Sequence, residues 1–292
     1  MSEHEDTTNP LLDGHPQDIN ASVHSPPQWN FTGDVGFSAM CPESENSFTI
    51  YQAIISQLSA MSTSPYYHLG GDEVPSTVLS QERYAAFVNA EMRLITAQGK
   101  IPMGWAELAG PGTDPPAGSV AEYWNPASGS SPDTATARQA VSKNMKLVMA
   151  PANHAYLDQK YAPNTPPDLG LTWACPSGCD VDQFYNWDPG SYVDGVTDQN
   201  VIGVEGAMWT ETVRTLGEVQ YMVFPRLIAL AEVAWTAQAE RDYADFLPRL
   251  AAQGPRLTLA GTSFHPTPKV PWQLDVDTES LEPPGTGERT ER

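Results

Sequence analysis

The sequence predicts an α/β fold made of parallel βα units. Three observations carry this reading. Short apolar runs recur at 66–71, 101–107, 119–124, 146–149 and 201–209, each of strand length. Segments with apolar residues three and four apart lie between them, which is the period of a helix. Several of the runs end on an aromatic ring and a carboxylate, as strands do where their carboxyl ends gather around a ligand in α/β barrels.

Taken in order, residues 1–30 carry Pro, Asn, His and acidic residues without periodicity and read as an irregular lead-in. Over 48–61, Phe48, Tyr51, Ile54, Ile55, Leu58 and Met61 form the apolar positions of an amphipathic helix. The strand 66–71 follows. Residues 81–98 are helical again, with Tyr84, Phe87, Val88, Met92 and Ile95 as the buried stripe and Gly99 as the stop. The strand 101–107 leads to Trp105 and Glu107, and the strand 119–124 to Tyr123 and Trp124. A short helix over 132–143 precedes the strand 146–149, which runs into Ala150-Pro-Ala-Asn153. After the strand 201–209, an apolar-faced helix is expected over 217–235 and a final helix over 242–260. From residue 273 the chain is rich in Asp, Glu, Pro, Gly and Thr and reads as a disordered acidic tail.

Composition narrows the function. With 15 basic and 36 acidic residues the net charge is −21. That disfavours nucleic acid, anionic membranes and polyanionic substrates, and it is compatible with an uncharged sugar. No apolar run approaches the ~20 residues that span a bilayer. Met1 to Pro10 is polar and acidic, unlike a signal peptide. Of three cysteines, Cys175 and Cys179 frame a Pro-Ser-Gly turn and can close a local disulfide, leaving Cys41 over. Free thiols and metal binding are the rival readings, and Cys-x3-Cys without a second pair is weak zinc spacing. Asn20-Ala-Ser22 and Asn30-Phe-Thr32 match the glycosylation sequon, which has meaning only in a eukaryotic secretory route.

The most informative stretch is Tyr66-Tyr67-His68-Leu69-Gly70-Gly71-Asp72-Glu73-Val74. In a regular strand Asp72 and Glu73 would point to opposite faces. Gly70 and Gly71 can adopt backbone shapes closed to other residues and so re-aim the pair. The same residues also suit a plain turn or helix start. Elsewhere, Trp105 lies two before Glu107, Tyr156 two before Asp158, and Trp209 two before Glu211. On a strand, residues two apart face the same way, so each pair could present a ring and a carboxylate together. Rings stack on the C–H faces of a pyranose while carboxylates accept from its hydroxyls. Taken singly, each tryptophan could equally be a core or surface staple.

These residues in this order resemble glycoside hydrolase family 20, the β-N-acetylhexosaminidases. His68-Leu-Gly-Gly-Asp-Glu73 is similar to the family signature His-x-Gly-Gly-Asp-Glu. Gly104-Trp105-x-Glu107, Tyr123-Trp124, Tyr156-Leu-Asp158-x-Lys-Tyr161, Leu171-x-Trp173 and Gly203-Val-Glu-x-x-x-Trp209-Thr-Glu211 follow in the family's order. Phe224-Pro-Arg226, with Ala231-Glu232 and Trp235, resembles the last barrel helix, and the likeness runs over 31–272. The resemblance implies a (β/α)8 TIM barrel and a retaining mechanism in which the substrate's own 2-acetamido oxygen attacks C1, an exception to the two-carboxylate scheme. Glu73 would be the general acid and then the base. Asp72 would hold the acetamido N–H, and Tyr156 would donate to the acetamido oxygen. Trp105, Trp124 and Trp209 would wall the pocket, Asp158 and Glu211 would accept from sugar hydroxyls, and Trp173 would stack at the entrance. The resemblance implies no cofactor and no metal, and a secreted or extracytoplasmic setting is suspected. The position of Glu107 varies in the family and it receives no role; Glu122 and Glu205 stay open between buried support and the outer surface.

The front of the chain departs from the pattern. The signature belongs to the fourth barrel strand, yet the residues before Tyr66 read as one helix and a loop. The expectation is a barrel truncated to about strands 4–8, with residues 31–272 as the partial catalytic domain and an N-terminal half to be supplied. The arginine expected near the first strand and the Pro-Gly-His region of the third have no counterpart here. Two other functions compete with hydrolysis by this route: an inactive sugar-binding fragment, and a metal-dependent hydrolase using His68, Asp72 and Glu73. The latter lacks a second histidine cluster, since His15, His24, His154 and His265 are scattered.

Overall fold

The five apolar runs form one parallel sheet. The computed structural model describes residues 42–126, 134–164 and 166–272. The lead-in 1–30, both sequons, Cys41, the first residues of the helix expected over 132–143, and the tail from 273 lie outside the described residues. Strands β1 (Tyr66–His68), β2 (Ile101–Trp105), β3 (Val120–Tyr123), β4 (Lys146–Met149) and β5 (Val201–Val204) pair in chain order, every pair parallel. Parallel neighbours need a crossover, and helices are the usual one. Here helices α1 (Glu45–Met61), α2 (Gln81–Ala97), α3 (Ala135–Ser142) and α4 (Ala152–Ala155) accompany the sheet. The fold class is α/β, five successive strands of the (β/α)8 type. All four residues of β3 are buried, while Tyr66 on β1 and Ile202 on β5 are exposed. Among the described residues β1 and β5 are the sheet edges.

The described residues group into two compact units. One comprises the described residues of 42–156 and Trp187–Ala207 and holds the whole sheet; the other comprises those of Leu157–Asn186 and 208–272. The second unit contains α5 (Val181–Tyr185), α6 (Leu216–Val223), α7 (Arg226–Trp235), α8 (Tyr243–Ala251) and α9 (Gly254–Leu259). Its core includes Val181, Phe184, Ala229, Leu230, Val233, Phe246 and Leu250. Cys175 and Cys179 form a disulfide there.

Local chemistry explains the element limits. In α2 the Ser80 hydroxyl accepts the Arg83 N–H, an N-cap. Its end is the expected Gly99, at φ 73°. The predicted stripe is buried at Tyr84, Val88, Met92 and Ile95. In α1 the buried row is Ser47, Tyr51, Ile55 and Ser59, whereas Ile50, Ile54, Leu58 and Met61 are exposed. The apolar residues of α1 cover two neighbouring rows of the helix, and one of them packs on α2, where Phe48 and Tyr51 meet Phe87.

Two expected helices are each two. The one over 217–235 breaks at Phe224-Pro225, where Phe224 is extended (φ −100°, ψ 136°). Proline has no N–H for the helix ladder and disfavours helical geometry in the residue before it. The one over 242–260 breaks after Ala251 and restarts at Gly254-Pro255. The run 201–209 is a strand only to Val204. Its partner β4 ends at Met149, whose carbonyl accepts the Glu205 N–H at 3.1 Å, and no ladder continues beyond it. Among the described residues no helix is long and apolar enough to cross a membrane.

Candidate active site

β1 delivers the acidic pair. Backbone pairing continues past His68: Leu69 N–H donates to Met103 O at 2.8 Å, and Trp105 N–H donates to Gly70 O at 3.0 Å. The chain then turns on Gly70 (φ 83°) and Gly71 (φ 97°), both left-handed. A Cβ on Gly71 would stand 3.0 Å from Leu108 Cδ2 and from Tyr84 Oη, so space as well as φ requires glycine. Tyr84 on α2 donates its hydroxyl to Gly71 O at 2.6 Å and pins the turn. Glu73 follows at φ 53°, a left-handed non-glycine that costs roughly 1–2 kcal/mol. Such strain gathers at functional positions. Partial burial of its carboxyl, and then the like charge of Asp72, raise the Glu73 pKa. A raised acid beside a second carboxylate is the arrangement that holds a proton for transfer.

Trp105 and Trp124 stand at the ends of the next two strands. Trp105 closes β2, buried, with its ring edge-on to His68 at 5.5 Å between centroids. Trp124 follows β3, half-buried. Its carbonyl accepts the Ala152 N–H at 2.8 Å, and its indole Nε1 donates to Glu107 Oε1 at 3.1 Å. Tyr156 caps α4 and is buried.

The two-residue period does not govern the ring–carboxylate pairs. Glu107 lies in a 3-10 turn, Ala106–Ala109, directly after β2. Tyr156 ends a helix, and Trp209 and Glu211 lie beyond β5. None of the three pairs lies wholly on a strand, so alternation cannot align them; Glu107 meets Trp124 instead of Trp105.

Two groups without an assigned role join the strand ends. Burial lifts Glu107 to about 7; hydrogen bonds, including that from Trp124, oppose the rise, and Asp72 and Glu73 add to it. His68 Nδ1 accepts the Gly70 N–H at 3.2 Å, which places the neutral ring's proton on Nε2, 3.2 Å from Glu122 Oε2. Glu122 is 1% exposed, which makes it buried support. Its Oε1 has no hydrogen-bond partner among the described residues. Glu205 is raised by burial and then by Glu122, with His68 acting the other way. His68, Glu122 and Glu205 belong to alternate strands or their ends, the relation that places side chains in one interior layer of a barrel. The sequence signal was present: a glutamate inside the short apolar run Val120-Ala121-Glu122-Tyr123 needs a partner. Among the described residues no group of three or more His, Cys, Asp or Glu has the arrangement of a metal site.

The second unit holds the remaining candidates. Asp158 is 2% exposed; its Oδ2 accepts from Gln159 Nε2 at 3.1 Å, and its Oδ1 has no partner among the described residues. Burial lifts its pKa to about 6, with the Glu211 charge adding and Arg226 opposing. Gln159 Oε1 accepts the Ala174 N–H at 3.1 Å, and Thr212 Oγ1 accepts the Gly170 N–H at 2.7 Å. These bonds tie the segments of Asp158, Trp173 and Glu211 together. Trp173 and Trp209 are 49% and 42% exposed, unusual for so large a ring, and Glu211 is exposed.

Comparisons with known proteins place the chain in a family. Residues 11–238 match the profile of glycosyl hydrolase family 20, catalytic domain. A β-N-acetylhexosaminidase of Cellulomonas fimi is 35% identical over 266 residues, which are 88% of this chain and 51% of that protein. The family 20 β-N-acetylhexosaminidase of Streptomyces coelicolor superposes with a TM-score of 0.78 at 32% identity, over 87% of this chain and 50% of that one. A mutant Streptomyces plicatus β-hexosaminidase in complex with the product GlcNAc also gives 0.78, at 33% identity, over 87% of this chain and 49% of its own. The chain spans about half the length of these relatives.

Proposed function

Because this chain belongs to glycosyl hydrolase family 20, we propose that it hydrolyses terminal non-reducing N-acetyl-β-D-hexosamine residues, GlcNAc or GalNAc, with retention and by substrate assistance. The observation that supports this best is the glycine turn that carries Asp72 and Glu73 just past the carboxyl end of β1, where burial and then the Asp72 charge raise the Glu73 pKa. In this reading Glu73 gives its proton to the glycosidic oxygen as the C1–O bond breaks. The acetamido oxygen of the same sugar bonds to C1 and forms an oxazolinium ion. Glu73, now a carboxylate, takes a proton from the water that attacks C1; the bond from C1 to the acetamido oxygen breaks, the acetamido group is restored, and the β-configured sugar leaves. Asp72 accepts the acetamido N–H and balances the positive charge that builds on the ring. Tyr156 donates to the acetamido oxygen.

The family motif gives the other residues their parts. Trp105, Trp124 and Trp209 face the sugar and its acetamido methyl, Trp173 stacks on it, and Asp158 and Glu211 accept from its hydroxyls. The chemistry needs no cofactor, and we assign it to residues 31–272. Sugar recognition by exposed rings and carboxylates fits a protein of net charge −21.

Release of nitrophenol from a nitrophenyl β-N-acetylglucosaminide tests the reading. The 292-residue chain should turn over, and Glu73→Gln should lower kcat by about 10²–10⁴-fold. A β-glycosyl fluoride, whose leaving group needs less protonation, should recover part of that loss. Activity should fall as pH rises through the raised Glu73 pKa, since the acid must start protonated. Equal loss on both substrates would remove Glu73 as the acid. GlcNAc binding without turnover would favour a sugar-binding role.

A further inference from the structure

Glu107 lies where the two parts of the first unit's strand-end cluster meet. The turn that carries it is held by the buried residues Ala106, Leu108 and Ala109. Its carboxylate oxygens lie 3.1 and 3.4 Å from Trp124 Nε1, so both share the one indole proton. An indole only donates, and a carboxyl accepts from it whether charged or neutral. The charges of Asp72 and Glu73 also act on it. A cavity of about 180 Å³ adjoins it, lined by Gly71, Val74, Tyr84, Glu107, Thr136 and Gln139. That volume is roomy and polar enough for several waters, which gives the carboxyl a route to exchange protons.

We propose that Glu107 is a positioning residue for the acid pair: it fixes the Trp124 ring and adds a third carboxyl charge to those of Asp72 and Glu73. The proposal rests on the reading of Glu73 as the acid. The surrounding groups leave this part to Glu107. From α2, Tyr84 gives its hydroxyl to Gly71 O. From α3, Lys143 Nζ donates to Gly110 O and Thr113 O at 2.7 Å, and Arg138 Nη1 to Thr134 Oγ1 at 2.6 Å. From β3, Glu122 faces His68. Asp72 and Glu73 are like charges, so among the named neighbours only the indole N–H donates to Glu107. The charges of Asp72 and Glu73 act on Glu107, so the three carboxyls titrate as a coupled set.

Two variants separate the two parts of the role. Glu107→Gln keeps an acceptor for the indole and removes the charge; Glu107→Leu removes both. In the 292-residue chain, the indole ¹⁵N–H resonance of Trp124, assigned by its absence in Trp124→Phe, should shift with pH around neutrality. The shift should vanish in Glu107→Gln, and in Glu107→Leu the proton should exchange with water about tenfold faster or more. In hydrolysis, Glu107→Gln should move the alkaline limb of kcat/KM to lower pH by about half a unit, with KM little changed. Glu107→Leu should raise KM as well. A Trp124 resonance that ignores pH, or that is the same in Glu107→Leu, overturns the proposal. A correct resonance pattern without turnover upholds the contact and counts against the hydrolase reading alone. An unmoved alkaline limb in an active Glu107→Gln enzyme removes the charge part.

Discussion

Two regions of this molecule bury charge and treat it in opposite ways. In the second unit the side chain of Arg226 is fully buried, and its Nε, Nη1 and Nη2 donate to the carbonyls of Leu157, Gln159, Cys179 and Met222 at 2.5–3.2 Å. The Tyr161 ring lies 3.9 Å from its guanidinium carbon. In the first unit the Trp124 indole donates to Glu107 and the His68 ring faces Glu122, with the carboxyls of Asp72, Glu73 and Glu205 in the same cluster. Burial raises Glu73, Glu107 and Glu205, and an oxygen of Glu122 has no partner among the described residues. A matched buried charge organises backbone. An acidic cluster with few donors is poor for stability and well suited to holding and releasing a proton.

The largest effect should come from breaking the matched region. Arg226→Met leaves those carbonyls buried without their donor and should cost about 3–5 kcal/mol, read as a lower midpoint in urea. Glu122→Gln keeps an acceptor for His68 and changes only the end of a side chain whose Oε1 has no partner among the described residues, so it should stay within about 1 kcal/mol of the parent. Equal losses for the two variants would erase the distinction between the regions.

Glu91 tests whether a buried carboxyl behaves the same way inside a helix. It lies on the buried face of α2, and burial raises its pKa to about 8. An unfolded glutamate titrates near 4.3. The folded state therefore binds more protons between these values. The contribution of Glu91 to stability is complete below the lower one and is lost as pH rises through the upper one, on the order of a few kcal/mol in all. The urea midpoint should fall between pH 5 and pH 9, and Glu91→Gln should flatten that fall. An unchanged slope would mean that Glu91 is already ionised at pH 5.

Much of this was legible in the sequence where the governing physics is local. The strand runs and the α2 stripe follow from period, and the Gly70-Gly71 turn follows from φ and space. The break at Pro225 was equally local, but the apolar pattern across 217–235 outweighed it. What the sequence hid is non-local. Glu107 meets Trp124 because β2 and β3 are neighbours in a particular register, Trp105 opposite Glu122. No spacing within either segment reports that. His68 and Glu122 are joined across β2 in the same way. The exposed row of α1 was hidden too, because periodicity names an apolar face without naming what covers it.

The smallest effect is a coupling, and it probes how the matched region is built. Cys179 contributes its sulfur to the disulfide with Cys175 and its carbonyl to Arg226 Nη1 at 3.0 Å. The loop closed by these cysteines is short, so loop entropy gives the disulfide only about 2 kcal/mol. Replacing both cysteines by serine should cost about that much in the parent protein. In the Arg226→Met background the carbonyl of Cys179 loses the guanidinium donor, and the double serine change should cost about 1 kcal/mol less. Costs that add to within about 0.5 kcal/mol would show that the disulfide and the guanidinium order separate parts of the second unit. A clear deficit would show that the disulfide works by presenting this carbonyl to Arg226.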